Sequence, residues 1–167
     1  SLLGRDALRR SSHLVASVSR DELDVIARQV ERKLNTPDCS SMGRLFDAVS
    51  ALAGVRDTVS YEGQAAVELE MEAHRHRGDT TTRRYVFDVD SVRNMQVVRF
   101  ASLLSEVLRD VENHTDVPTI SASFHEAVAR MAVEVCQRIR NESGISRVAL
   151  SGGVFQNRLL LERTVGL

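Results

Sequence analysis

The strongest constraint on the fold lies at the chain's end, in Val148 to Leu167, "VALSGGVFQNRLLLERTVGL". Apolar residues run into a Ser-Gly-Gly turn, and after Asn157 the chain leaves in a leucine-rich amphipathic segment. That order predicts a short buried strand at "RVAL", a tight turn and then a helix. Such a connection exposes backbone N–H groups where the helix begins, and the amides and the helix dipole there favour an anion, phosphate especially. Gly152 and Gly153 allow a ligand to approach the backbone, and Asn157 offers both a donor and an acceptor. A Gly-Gly turn is also an ordinary connection that needs no ligand, so this stretch alone leaves both readings open.

Upstream, the chain reads as helices. In "SRDELDVIARQVERKLNTP", Ser19 and Glu22 form a capping box, and Leu23, Ile26, Ala27, Val30 and Leu34 recur at helical spacing until Pro37. "MGRLFDAVSALAG" places Leu45, Val49 and Leu52 on one stripe, with Gly54 as the C-cap. "YEGQAAVELEMEAHRHRG" alternates like a strand at Val67, Leu69, Met71 and Ala73, but its Ala, Glu, Leu and Met content favours a helix ending near Gly78. A strand is expected at Tyr85 to Val89, and a helix from Met95 to Val111 on the stripe Val97, Phe100, Ala101, Leu104, Val107, Leu108 and Val111. A further helix is expected from Phe124 to about Asn141, capped by Ser123 and Glu126 and stopped by Gly144.

Composition narrows the function. With 22 Lys and Arg against 23 Asp and Glu, and 4% aromatic residues, the 167-residue chain offers neither a basic stripe for phosphodiester backbones nor a stacking platform for bases, so nucleic acid is not an expected partner. No run approaches the roughly 18 apolar residues of a membrane span, and the first residues lack a signal-peptide layout, so a soluble cytoplasmic protein is expected. Cys39 and Cys136 fit no zinc spacing and read as reduced structural thiols. His74 and His76 point about 200° apart on a helix and cannot easily share an ion, which makes the "EAHRHRG" segment a solvated face. His125 reads as a structural histidine in preference to a general base, and Cys136 as core in preference to a nucleophile.

Three blocks together carry a resemblance. "SSMGRLFDAVSALAGV", "VSYEGQAAVELE" and "FHEAVARMAVEVCQRIRNESGISRVALSGGVFQNRLL" resemble, in order and spacing, the C-terminal part of the HypF family, carbamoyltransferases of NiFe-hydrogenase maturation. They cover Ser40 to Glu70 and Phe124 to the end, and the match elsewhere is loose. The resemblance implies a helix-rich α/β fold, part of one lobe of an actin-like ATPase of the Kae1-like type, whose two lobes hold a nucleotide between them. On that reading residues 1–167 are one domain, a piece of a Kae1-like carbamoyltransferase domain truncated at both ends; the lack of an initial Met and the stop soon after Asn157 fit the same expectation.

Carried over by matching motif, "FDA" implies Asp47 close to the nucleotide, and "SGGVFQN" implies Gly152, Gly153 and Asn157 as phosphate and ribose contacts. "YEGQ" stands where relatives carry Pro-Gly-Gly, so Gly63 matches one glycine while Gln64 replaces the other, which puts the Gln64 contact in question. The residue types suit these roles, since carboxylates accept from ribose hydroxyls and glycine amides donate to phosphate oxygens. Glu62 and Glu68 are further candidate hydroxyl acceptors or solvated helix charges. The family's metal, Fe or Zn, is held by an upstream His pair and a downstream Asp in a "DGG"-type turn, neither of which is in this sequence. By resemblance the parent enzyme uses carbamoyl phosphate and ATP, through a carbamoyl-adenylate, to carbamoylate the C-terminal cysteine of a HypE-like protein. The truncated lobe alone would be inactive, and its uncovered apolar surface would favour a homodimer. Two alternatives stand beside this one: another Kae1-like carbamoyl or threonylcarbamoyl transferase, or a non-catalytic helical interaction domain.

Overall fold

A computed structural model describes residues 18–77, 85–93 and 95–167. Among them are six α-helices, a two-stranded antiparallel hairpin and one 3-10 turn, a helix-rich α/β arrangement. Helix α1 spans Arg20–Arg32 and carries the expected capping box: the Ser19 amide donates to Glu22 Oε2 at 2.8 Å, and the Glu22 amide to Ser19 Oγ at 3.3 Å. It ends before Pro37, where Lys33 turns left-handed. Helix α2 spans Met42–Leu52, with Gly54 just beyond its C-cap at φ 76°. Helix α3 spans Gln64–Arg75, so helix propensity prevails over the apparent alternation; Gly78 lies outside the described residues.

The next segment departs from expectation. Strand β1 is Asp88–Val92 rather than Tyr85 to Val89, and Met95–Arg99 is strand β2 rather than the start of a helix. Met95 faces Val92 across the ladder, and Arg93 leaves the first strand at φ 49°. Pairing decides the outcome, because β-branched Val97 and Val98 suit a pleated ladder as well as a helical stripe. Helix α4 then spans Ala101–Glu112.

Helix α5, Val117–Ser143, begins about two turns earlier than the expected Phe124. Its cap is Asp116, which accepts from the Thr119 amide at 3.0 Å, and Pro118 follows in the first turn, where its missing N–H costs nothing. Ser123 is no cap: its hydroxyl donates within the helix to the Thr119 carbonyl at 2.7 Å. Gly144 ends the helix at φ 75°, as expected. Residues 147–150 join no ladder and are largely exposed, so the expected buried strand at "RVAL" is absent among the described residues. A strand is defined by its partner, and none lies alongside. Gly153–Gln156 form the 3-10 turn and Arg158–Gly166 the final helix, α6.

The core sits where α2, α3, α4, α5 and α6 meet. Phe46, Val49, Leu69, Leu103, Phe124 and Leu160 are almost wholly removed from water, and Phe46 packs edge-on to Phe124 at 4.8 Å between centroids. Tyr85 donates to the buried Asp110 carboxylate at 2.7 Å, fastening the approach to β1 onto α4. Among the described residues no helix is long and apolar enough to cross a membrane. Both cysteines are free, Cys39 exposed and Cys136 half-buried.

Candidate functional site

The site is built on the loop between residues 150 and 158. Gly152 holds φ 92°, ψ 165°, a conformation open to glycine alone among common residues, and a Cβ there would meet nothing within 4 Å. The requirement is therefore conformational. The Phe155 amide donates back to the Gly152 carbonyl at 3.2 Å, winding the 3-10 turn. Gly152 and Gly153 are exposed, and among the described residues their amides have no protein acceptor. Beside them lies a cavity of about 330 Å³, lined by the two glycines, Val154, Phe155, Met42 at the start of α2 and Met131 on α5. Two free donors at the mouth of an apolar recess suit a ligand with an anionic group and an apolar body.

The first turn of α6 differs from what the sequence implies, because protein acceptors take two of its amides. The Leu159 amide donates to Glu70 Oε1 on α3 at 2.9 Å, and the Leu160 amide to Asn157 Oδ1 at 2.8 Å. The glycine amides ahead of the helix stay free. Glu70 escapes notice in the sequence because its contact spans 89 residues, and nothing local separates it from Glu72.

Behind Asn157 stands His125, 1% exposed in the middle of α5. Its Nδ1 lies 2.8 Å from the Ser121 carbonyl, which only accepts, so Nδ1 carries the proton. Nε2 is then a bare acceptor 2.9 Å from Asn157 Nδ2, and the Leu160 contact to Oδ1 fixes the amide the same way round. Burial is the main cause pushing the His125 pKa below its ordinary value, opposed by the Ser121 carbonyl and the Glu70 charge. A neutral ring with Nε2 occupied is structural, as the sequence reading preferred. Asn157 keeps one Nδ2 hydrogen and one Oδ1 lone pair for a ligand.

The "YEGQ" turn serves a second network. Gly63 precedes α3 at φ 83°, and Gln64 is nearly buried, accepting from the Ser60 amide at 2.7 Å and donating to Glu68 Oε1 at 2.9 Å. Glu68 receives Arg56 through Nε and Nη2, both at 2.7 Å. Arg56, then Gln64, hold the Glu68 carboxyl below its ordinary pKa, and Glu68 in turn raises Arg56. Glu68 is thus engaged by protein, while Glu62 is exposed. Asp47, on α2, has 37% of its side chain exposed and meets Arg44 at 3.3 Å. The fold joins Gly152, Gly153 and Asn157 in one loop; Asp47, Gly63 and Gln64 do not line the cavity beside it. Among the described residues no three His, Cys, Asp or Glu side chains converge on a point.

Comparison with known proteins supplies the context. Residues 2–167 match the family model described as the carbamoyltransferase Kae1-like domain, second subdomain. The chain is 30% identical over 145 residues to the probable carbamoyltransferase HypF of Methanocaldococcus jannaschii, covering 87% of this chain and 18% of that protein. It is 32% identical over 151 residues to the carbamoyltransferase HypF homolog of Cupriavidus necator, covering 87% of this chain and 37% of the relative. The crystal structure of full-length HypF in the phosphate- and nucleotide-bound form superposes with a TM-score of 0.84 at 38% identity, over 97% of this chain and 25% of that one. T. kodakarensis HypF superposes with a TM-score of 0.79 at 26% identity, over 98% and 21%. The chain belongs to the HypF carbamoyltransferase family, and what it spans of those proteins is the second subdomain of their Kae1-like domain.

Proposed function

We propose that this chain supplies nucleotide contacts to a HypF-type carbamoyltransferase that works with ATP through a carbamoyl-adenylate. The observation that carries the reading is the pair of exposed, unpartnered amides at Gly152 and Gly153 beside an apolar cavity. The likeness to a HypF structure determined with phosphate and nucleotide bound supports it. In the proposed mechanism the two amides neutralise charge on the adenylate phosphate, where pre-set donors cost no reorganisation. Asp47 and the remaining valences of Asn157 face the ribose side, and Gly63 with Gln64 forms a further contact. The chain binds and orients; no proton transfer falls to it. The acceptor is the C-terminal cysteine thiolate of a HypE-like protein, whose attack on the carbamoyl carbon forms the C–S bond as the C–O bond to AMP breaks.

Calorimetric titration of ATP and ADP into the purified chain tests this. Saturable binding that weakens about tenfold or more in Gly153→Val, whose branched side chain obstructs approach to the two amides, and in Asp47→Ala, which deletes a charged hydrogen bond worth roughly 1.4 kcal/mol or more, is the expected outcome. Binding unchanged in both variants would refute the assigned contacts.

A further inference from the structure

We infer that His125 is the positioning residue of the Ser151–Asn157 loop, acting through Asn157 rather than on the ligand; its relevance to catalysis rests on the nucleotide reading above. The geometry forms one directed chain. Ser121 O accepts from His125 Nδ1 at 2.8 Å, His125 Nε2 accepts from Asn157 Nδ2 at 2.9 Å, and Asn157 Oδ1 accepts from the Leu160 amide at 2.8 Å. Each donor has one acceptor and each group one orientation, so the carboxamide cannot flip without losing two bonds. The ring is itself clamped, edge-on to Phe46 at 5.3 Å and Phe124 at 6.1 Å, and it moves only with the core. Asn157 closes the 3-10 turn that begins at Gly153, its amide donating to the Val154 carbonyl at 3.2 Å. A rigid core group thereby fixes the loop end adjoining the two free glycine amides. Glu70, holding the Leu159 amide at 2.9 Å, ties the same junction from α3.

The test exploits the reach of two amides. In His125→Gln the terminal amide extends to the Nε2 position and restores an acceptor for Asn157; in His125→Asn it reaches only the Nδ1 position and keeps the Ser121 contact alone. Both remove the same ring, so packing loss is shared and the Asn157 bond differs. Amide hydrogen exchange over residues 151–161 is the readout, with ADP affinity measured alongside. Exchange at least tenfold faster in His125→Asn, with His125→Gln within threefold of the unaltered chain, is expected, and ADP affinity should follow the same order. Equal exchange in the two variants would overturn the inference. Should both unfold, Asn157→Ser decides, because serine keeps an N-cap oxygen and deletes only the donor to His125; exchange then unchanged across 151–156 overturns the proposal. If ADP fails to bind the unaltered chain, the nucleotide reading falls while the exchange contrast still judges His125.

Discussion

Gly152 stands at φ 92° with open space where a Cβ would go, so its replacement isolates a backbone preference from a clash. Gly152→Ala is expected to destabilise the chain by about 1–2 kcal/mol, measurable by urea denaturation, without disturbing the core. His125 gives a second single-residue effect with a definite sign. Its folded pKa is depressed from 6.5, so below that pH the unfolded chain takes up a proton the buried ring resists, and stability falls as pH drops. Glu70 on α3 opposes the depression, whereas His74 and Arg163 add to it. Urea midpoints at pH 7.5 and 5.5 should show a loss on acidification that is smaller in His125→Gln; equal losses would show that His125 titrates alike in both states. At this scale the glycine was legible from sequence, since a turn carrying Gly-Gly announces its backbone need. The Glu70 contact was not, because a carboxylate becomes a helix cap only when an element distant in sequence arrives beside it.

Elements were legible where their ends carry chemistry. The Ser19 and Glu22 capping box and the Gly144 stop stand where sequence places them, each making a local hydrogen bond or adopting a local φ. The hairpin was hidden because Met95–Arg99 satisfies a helical stripe and a strand alternation alike, and only the cross-strand register with Asp88–Val92 separates them. The start of α5 was misplaced for a related reason: two capping signals compete within eight residues, and Asp116 with Pro118 prevails over Ser123 with Glu126. The hairpin turn carries a testable strain, since Arg93 holds φ 49°. Arg93→Gly should stabilise the protein by about 0.5–1 kcal/mol, as relief of the left-handed penalty exceeds glycine's added unfolded-state entropy, and a rise in the thermal midpoint would register it.

The whole molecule depends on one core shared by five helices, with Phe124 at its centre and fully buried. Phe124→Ala is expected to cost about 3–5 kcal/mol, a large part of the roughly 5–15 kcal/mol that holds a domain together, and should appear as a lowered urea midpoint. That core presses α5 against α3 and α6, and so delivers Asn157 to His125 and the Leu159 amide to Glu70. With the Leu159 and Leu160 amides taken by Glu70 and Asn157, the open amides of Gly152 and Gly153 beside the cavity carry the functional reading. The most direct measurement is a titration of ADP followed by amide resonances of the isotopically labelled chain. Saturable shifts largest at Gly152 and Gly153, with Leu159 and Leu160 little changed, are expected. Shifts centred on Leu159 and Leu160, or on residues remote from the loop, would contradict it.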